Sequence, residues 1–208
     1  MHYQIDNLIV KSELAAKPAS QTNKIVLDHI ANLPNHIKVL DYGCGKLRYS
    51  INLAEHVDNV VAIDSLEQIR TLEKSSYEHY NNLNVMTIEQ PDWYKQKYDV
   101  VFCTNVLSAI PFEEYREKII NNAKDVLKKD GYLFISVQYR NSYFSQYKNR
   151  DDASSFRDGW LIKHKTTNLC SFYGILSADY ITVLCRKAGF KHITVKKKDG
   201  SCFIEARL

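Results

Sequence analysis

The sequence predicts an α/β fold in which helices cover both faces of a mostly parallel sheet. Short, continuous apolar runs alternate with segments of helical period, as expected of strands buried on both faces. A glycine-rich turn follows the first of these strands, and an Asp-Gly turn separates the last two. We predict seven strands ending in an antiparallel β-hairpin. The chain of 208 residues shows no linker composition, which predicts a single domain over residues 1–208.

The strands of the parallel sheet are predicted from five apolar runs. These runs are Val39–Leu40, Val60–Ile63, Asn84–Ile88, Asp99–Cys103 and Tyr132–Val137. They are mostly continuous rather than alternating, which favours burial of both faces. Helical segments lie between them, and this alternation predicts a parallel sheet.

Two helices are predicted in the first half of the chain. The first covers Ile25–Leu33, before the first strand. The second begins after Ser65, because Gln68 follows three residues later, as in a capping box. Its apolar face is predicted to contain Leu66, Ile69 and Leu72.

A longer helix precedes the last parallel strand. Its apolar side chains recur at helical spacing and are Phe112, Tyr115, Ile119, Ile120, Ala123, Val126 and Leu127. The residues predicted to close its C-terminal end are Lys128, Lys129 and Gly131.

The C-terminal region predicts one helix and then a hairpin. The helix begins at Ser177 and runs through Ala188, and Gly189 ends it. Two apolar runs, Ile193–Val195 and Cys202–Ala206, flank the turn Asp199-Gly200.

Composition restricts the classes of function. The net charge of +4 tolerates an anionic partner without requiring one. The five cysteines lack Cys-x-x-Cys spacing, which predicts reduced thiols and a cytoplasmic location. His29, His56 and His164 lack metal-ligand spacing, so we predict no metal site. The N-terminus does not resemble a signal peptide, and no apolar run approaches the ~18 residues of a membrane span, so we predict no membrane association.

The segment Lys38–Gly45 contains the most informative motif, an apolar strand followed by Asp-x-Gly-x-Gly. Glycines at such a turn allow a ligand to approach the backbone closely. The next strand ends at Asp64, nineteen residues after Gly45, where a carboxylate suits the hydroxyls of a ribose. A nicotinamide dinucleotide is disfavoured, because its fingerprint requires a third glycine where this chain has Arg48. The motif therefore predicts a different nucleoside-containing ligand.

Four segments in order resemble the class I S-adenosylmethionine-dependent methyltransferases. They are Val39–Gly45, Val60–Asp64, Tyr98–Leu107 with Ile110-Pro111, and Leu127–Leu133. The resemblance extends from Ile25 to the C-terminus, apart from one insert. It implies a seven-stranded sheet, S-adenosylmethionine as cofactor and methyl transfer as the reaction.

The resemblance also implies positions for the cofactor. Gly43 and Gly45 would approach its methionine part, Asp41 would hold the ammonium group, and Asp64 would bind the ribose. Glu89 or Gln90 would lie near the adenine, and Asn105 with Val106 at the mouth of the site. The full predicted cofactor set is Asp41, Gly43, Cys44, Gly45, Arg48, Asp64, Ser65, Glu89, Gln90, Asn105 and Val106. Arg48 is a candidate partner of the ligand carboxylate, and Leu47 replaces a glycine that the family often has.

Two segments are predicted to cover the site. One is the N-terminal cap segment, residues 1–22, whose loop Lys17–Ser20 would cross near the carboxyl edge of the sheet. The other is the insert at residues 138–176, a predicted substrate cap at the same edge. Its aromatic residues form either a small satellite core or the lining of a pocket. Candidates for catalytic residues in the insert are His164, Asp158 and Tyr173 as general base and Arg140 as a contact to an acidic substrate.

The leading functional hypothesis is methyl transfer to a small polar or anionic molecule. An alternative is an RNA or DNA methyltransferase that uses the basic and aromatic residues of the insert. The segment Thr104–Leu107 lacks the Asn/Asp-Pro-Pro-Tyr/Phe motif common in base amino methylation, which favours the small molecule. A third hypothesis is a methyltransferase-like protein that binds a ligand without catalysis. The oligomeric state is not predicted.

Overall fold

A computed structural model describes residues 2–139, 142–164 and 167–208. The strands are β1 (His2–Ile5), β2 (Leu8–Lys11), β3 (Lys38–Tyr42), β4 (Asn59–Asp64), β5 (Leu83–Thr87), β6 (Tyr98–Thr104), β7 (Leu127–Gln138), β8 (Ala153–Phe156), β9 (Gly159–Lys163), β10 (Leu169–Gly174), β11 (His192–Lys198) and β12 (Ser201–Arg207). The α-helices are α1 (Lys24–Ala31), α2 (Ser50–Ala54), α3 (Leu66–Ile69), α4 (Glu113–Asp125) and α5 (Ala178–Ala188). Short 3-10 helices cover Ser12–Ala15, Lys74–Ser76, Leu107–Ala109 and Ser142–Asn149.

The larger sheet has seven strands in the order β11-β12-β7-β6-β3-β4-β5. The pairs among β3 to β7 are parallel, whereas β12 is antiparallel to both β7 and β11. This confirms the predicted fold class, including the C-terminal hairpin. The chain continues from β3 to β4 on one side of β3 and later returns to β6 on its other side, so the strand order reverses at β3. Open α/β sheets bind ligands at such a reversal.

Helices cover both faces of this sheet, which explains the continuous apolar strands. In β4, Val61 and Ile63 pack into one core, and Val60 and Ala62 pack into the other. The first core includes apolar residues of α4 and α5, and the second includes those of α1 and α2. Every central strand therefore contributes to two cores.

The predicted C-terminal end of α4 was wrong. The helix ends at Asp125, and β7 already begins at Leu127, which pairs with Tyr98. The register between β6 and β7 then shifts before Val100. At this irregularity a Cβ on Gly131 would lie 2.8 Å from the carbonyl oxygen of Asp99, so glycine permits a close approach of two strands rather than ending a helix.

The predicted cap of α3 is confirmed. The predicted apolar face is confirmed only in part, because Ile69 and Leu72 pack against the second core whereas Leu66 does not. The hydroxyl of Ser65 accepts a hydrogen bond from the backbone N–H of Gln68 at 3.3 Å. The helix has only one turn, and Leu66 is 38% exposed whereas the Gln68 side chain is buried. A single turn is too short to establish a periodic face.

The smaller sheet has five strands in the order β1-β2-β10-β9-β8. The N-terminal segment supplies the hairpin β1-β2, the insert supplies β8 to β10, and β2 pairs in parallel with β10. The sequence analysis predicted neither set of strands. The pairing of Val10 with Cys170 joins distant parts of the chain, so no local sequence pattern predicts it.

An ion pair between the buried Arg116 and the exposed Asp158 connects the insert to α4. The guanidinium of Arg116, 2% exposed, donates to the two carboxylate oxygens of Asp158 at 2.5 and 3.0 Å. It also donates to the carbonyl oxygen of Ile110 and the hydroxyl of Tyr180, at 2.8 and 3.1 Å. Asp158 lies in the turn between β8 and β9, so this pair fixes the smaller sheet against the larger one.

Two further observations concern the whole described chain. None of its helices is both long and apolar enough to cross a lipid bilayer. The five cysteines are all buried and free of disulfides.

Candidate cofactor and acceptor site

The turn after β3 requires its first glycine. Gly43 has φ 79°, and a Cβ at this position would lie 2.5 Å from Cγ2 of Val106. The N–H groups of Gly43 and Cys44 both donate to the carbonyl oxygen of Ile63, at 2.8 and 3.0 Å. The turn is therefore held against the end of β4, with Val106 closing its other side.

Leu47 keeps the backbone conformation that glycine favours. Its φ is 58°, and its side chain is 1% exposed within the core that contains α1 and α2. A left-handed conformation costs a residue with a Cβ roughly 1–2 kcal/mol, which burial of the leucine side chain offsets. The turn thus persists without the glycine that the family often has here.

Asp64 is oriented by two backbone amides. Gly45 N–H donates to Oδ2 at 2.8 Å, and Ser65 N–H donates to Oδ1 at 2.7 Å. Burial raises the pKa of this carboxyl group, and the two amides act against that increase. Each oxygen retains a lone pair that can accept another hydrogen bond, for instance from a ribose hydroxyl.

Asp41 lies beneath the turn and is 1% exposed. Its Oδ2 accepts a hydrogen bond from the hydroxyl of Ser50 at 2.6 Å, whereas its Oδ1 has no hydrogen-bond partner in the described chain. Burial raises the pKa of Asp41 to about 6, with the Ser50 hydrogen bond lowering it and the charge of Asp64 raising it. A nearby cation would stabilise its ionised form.

A cleft with a volume of about 660 Å³, partly open to solvent, lies above these residues. Its lining includes seven of the predicted cofactor residues, namely Gly43, Cys44, Gly45, Arg48, Asp64, Asn105 and Val106. The N-terminal segment contributes Ser12, Glu13 and Ala15–Lys17 to the opposite wall. The other predicted cofactor residues, Asp41, Ser65, Glu89 and Gln90, are not part of this lining. We call this cleft the cofactor cavity.

A second cavity, of about 1050 Å³, adjoins the first. It shares Ala15, Lys17, Arg48, Asn105 and Ala109 with the cofactor cavity. The insert contributes Phe144, Phe172 and Tyr173, and the C-terminal hairpin contributes Asp199 and Ser201. We call it the acceptor cavity.

The aromatic residues of the insert serve both of the purposes that the sequence left open. Phe144 and Tyr147 belong to a small core with partly buried Trp160 and Tyr173. Phe144 and Tyr173 also line the acceptor cavity. This satellite core therefore supports one wall of the cavity.

The catalytic candidates from the sequence separate into different environments. Tyr173 lines the acceptor cavity. Asp158 lines neither cavity, and its carboxylate is held by Arg116 as described above. His164 also lines neither, and its buried Nε2 has no hydrogen-bond partner in the described chain. Arg140 lies outside the described residues.

Several site residues were missed by the sequence analysis. Lys17 lies in the predicted covering loop but was not identified as a site residue, and its Nζ is 5.2 Å from the centre of the Tyr173 ring. Gln138 and Ser201 pair with each other across β7 and β12 and line the acceptor cavity. The sequence could have identified Gln138 and Ser201, because the predicted hairpin after β7 is antiparallel and therefore has its turn at the carboxyl edge of the parallel strands.

The potential metal-ligating atoms of three surface residues lie within 4.8 Å of one another. The residues are His2, Glu13 and Glu67. His2 Nε2 lies 2.8 Å from Glu13 Oε1, which is a hydrogen-bond distance. A hydrogen bond accounts for the contact between His2 and Glu13.

Comparison with known proteins identifies the family. The sequence profile of the methyltransferase domain matches residues 12–195. The chain is 30% identical over 214 residues to the uncharacterized protein YmfD of Escherichia coli K12, covering 98% of this chain and 95% of that protein.

A second relative is named for its reaction. The ubiquinone biosynthesis O-methyltransferase of Erwinia tasmaniensis is 30% identical over 133 residues. The match covers 61% of this chain and 54% of the enzyme, so the aligned region is about half the enzyme's length.

A solved structure shows the same fold. The SAM-dependent methyltransferase from Methanosarcina mazei superposes with a TM-score of 0.67 at 19% identity, over 90% of this chain and 98% of that chain. Together with the seven-stranded sheet, these matches show that the chain belongs to the methyltransferase domain family and is a class I S-adenosylmethionine-dependent methyltransferase.

Proposed function

We propose that S-adenosylmethionine binds in the cofactor cavity and that a small molecule in the acceptor cavity receives its methyl group. The observation that carries this proposal is the shared boundary of the two cavities at Lys17, Arg48 and Asn105. Methyl transfer requires the acceptor atom to lie directly behind the methyl carbon, so the two ligands must meet at such a boundary.

The described residues fit the cofactor. Asp64 offers two oriented oxygens for the ribose hydroxyls, and the missing side chains of Gly43 and Gly45 leave backbone exposed to the ligand. The unpartnered oxygen of Asp41 supplies negative charge below the turn, which supports its predicted role toward the ammonium group. Bound S-adenosylmethionine supplies an activated methyl group on its sulfonium.

The chain's own contribution to the reaction is alignment and exclusion of water. Phe144, Phe172 and Tyr173 contribute aromatic side chains to the lining of the acceptor cavity. The N-terminal segment contributes Ala15 and Lys17 to the lining of both cavities. Apolar and aromatic side chains at this boundary would position the acceptor and limit the access of water to the reacting carbon.

The acceptor is a small polar or anionic molecule in this proposal. Lys17 and Arg48 line the acceptor cavity, and neither forms an ion pair within residues 2–139, 142–164 and 167–208. The relative named for ubiquinone biosynthesis O-methylation favours oxygen as the methylated atom. Tyr173 is the predicted general-base candidate that lines the cavity.

Two of the basic residues of the insert offer less support for the nucleic-acid hypothesis than their sequence suggested. Arg150 donates to both oxygens of Asp152, at 2.8 and 2.5 Å. Arg157 lies over the ring of Phe112, with its guanidinium carbon 4.9 Å from the ring centre. These two cations already have partners within the protein.

The experiment is a methyl-transfer screen that measures S-adenosylhomocysteine formation. The acceptors are a panel of small hydroxylated carboxylic acids and phenols, with bulk RNA and duplex DNA as the competing class. Product formation with small acceptors, lost in Asp64→Asn, is expected. Product formation with nucleic acid alone would overturn the proposal.

A further inference from the structure

We infer that a recess beside the acceptor cavity binds an anionic group of the acceptor, a carboxylate or a phosphate, with Arg48 as its cation. The inference rests on the proposed function, because it specifies the chemical class of the molecule that receives the methyl group. The recess is formed by residues 21–23, by Ser136 and Gln138 of β7 and by the start of β12.

The recess belongs to the acceptor cavity and not to the cofactor cavity. It has a volume of about 430 Å³ and shares six lining residues with the acceptor cavity: Gln21, Asn23, Arg48, Asn105, Gln138 and Ser201. It shares only Arg48 and Asn105 with the cofactor cavity. A cofactor held by Gly43, Gly45 and Asp64 and a group bound in the recess could therefore both contact Arg48 and Asn105, but no other lining residue.

Ser136 provides the observation that points to a ligand. Its side chain is 3% exposed, lines the recess, and its Oγ has no hydrogen-bond partner in the described part of the chain. A buried hydroxyl without a partner is unfavourable and calls for an explanation. A ligand oxygen that accepts its proton would provide one.

The neighbouring amides are arranged to donate. Asn105 Oδ1 already accepts a hydrogen bond from Gln138 Nε2 at 3.1 Å, and Asn23 Oδ1 accepts one from Ile25 N–H at 2.9 Å. Their side-chain NH₂ groups consequently remain as donors to a group in the recess. Carboxylate side chains are absent from the described lining of the recess. The charge of Arg48 does act on the buried carboxyl group of Asp41, where it opposes the rise in pKa that burial causes, but Asp41 does not line the recess.

Arg48 itself is held in place by an aromatic ring. Its guanidinium carbon lies 4.5 Å from the ring centre of Tyr49, and Arg48 has no carboxylate partner among the described residues. The Arg48 side chain also interacts with the Tyr49 hydroxyl. A guanidinium has five N–H donors, so others remain for bidentate contact with a carboxylate or phosphate. The recess thus assigns Arg48 to binding of the acceptor, whereas the sequence analysis suggested that Arg48 binds the carboxylate of the cofactor.

The test is calorimetric titration of protein saturated with S-adenosylhomocysteine, so that the cofactor cavity is filled. The probes are inorganic phosphate and benzoate, with benzamide as a neutral analogue. We expect the anions to bind about tenfold or more tightly than benzamide, because charge-assisted hydrogen bonds are the stronger class.

Three variants locate the binding. Arg48→Met should weaken anion binding about tenfold or more, and Ser136→Ala a few-fold, with S-adenosylhomocysteine affinity unchanged in both. Lys17→Met is the matched control, because Lys17 is a cation of the acceptor cavity that does not line the recess. It should weaken phosphate binding by clearly less than Arg48→Met does, because Lys17 lines only the neighbouring cavity.

Several results would overturn the inference. They are failure of both anions to bind, equal binding of benzoate and benzamide, and anion binding that is lost with Lys17 rather than Arg48. A loss of S-adenosylhomocysteine binding in Arg48→Met with phosphate binding retained would assign Arg48 to the cofactor instead. If wild-type protein fails to bind S-adenosylhomocysteine at all, both the proposed function and the inference fail, which distinguishes that case from the others.

Discussion

Replacing Asp41 with asparagine should change how the stability of the protein depends on pH. Asp41 is fully buried, and burial raises its pKa from 3.8 to about 6. A carboxyl group whose pKa is higher in the folded than in the unfolded state does not lower the unfolding free energy below its unfolded-state pKa, because it is then protonated in both states. The full cost is present above the folded pKa, because the folded state then contains a carboxylate that prefers to be protonated. Stability should therefore fall as the pH rises from about 4 to about 7.

The magnitude follows from the two pKa values. Each pKa unit corresponds to about 1.4 kcal/mol, so the ionised carboxylate costs roughly 3 kcal/mol at neutral pH, and most of this cost develops between pH 4 and pH 7.5. Asparagine cannot ionise and removes this pH-dependent part. Its buried NH₂ group adds a constant penalty of about 1–3 kcal/mol, which does not vary with pH.

The assay is urea unfolding of both proteins at pH 4, 5, 6 and 7.5. The difference in unfolding free energy, variant minus wild type, should increase by about 2–3 kcal/mol across this range in favour of the variant. In Ser50→Ala, which removes a hydrogen bond that lowers the Asp41 pKa, the pH transition should move upward. A difference that stays constant with pH would refute the reasoning.

Three further predictions concern the scaffold and the reaction. Asp158→Asn leaves the buried Arg116 without a charged partner and should lower the unfolding free energy by about 2–3 kcal/mol, with S-adenosylhomocysteine binding unchanged; loss of turnover without loss of stability would restore a catalytic role for Asp158. Gly43→Ala places a Cβ against Val106 in a strained turn and should weaken S-adenosylhomocysteine binding by about tenfold or more in calorimetry, and unaltered affinity would contradict the fit. Tyr173→Phe should reduce kcat about 100-fold and leave KM unchanged, and an unchanged kcat would exclude the hydroxyl as base.

The parallel sheet and the cofactor turn were predictable because their signals are local. Gly43 directly follows β3, Gly45 lies two residues further along, and Asp64 is the last residue of β4; an apolar run identifies each of these strands. Parallel strands bring such positions to one edge whatever the rest of the chain does. The same reasoning predicts the insert at this edge, and Phe144, Phe172 and Tyr173 of the insert line a cavity together with Asn105, the residue after β6.

The smaller sheet was not predictable in this way. It forms when β2, near the N-terminus, pairs with β10 of the insert. A contact between such distant parts of the chain produces no periodic pattern in the sequence. One signal was overlooked. Asp158-Gly159 repeats the Asp-Gly pattern that correctly predicted the C-terminal hairpin, and the turn between β8 and β9 lies there.

Arg116 also left a signal in the sequence. It lies four residues after Phe112 and three before Ile119, on the apolar stripe of α4. A charged residue on such a stripe predicts a buried partner, because an unpaired charge is rarely buried. Its partner, Asp158, could not be chosen from sequence because it comes from a distant turn of the insert.

The most direct test of cofactor binding in this cleft is calorimetric titration of wild-type protein and Asp64→Asn with S-adenosylhomocysteine, with NAD in parallel. We expect roughly micromolar binding to the wild type, an affinity at least about tenfold lower in the variant, and no binding of NAD. Equal affinity in the two proteins, or binding of NAD, would contradict the assignment of the cleft above Gly43, Gly45 and Asp64 to S-adenosylmethionine.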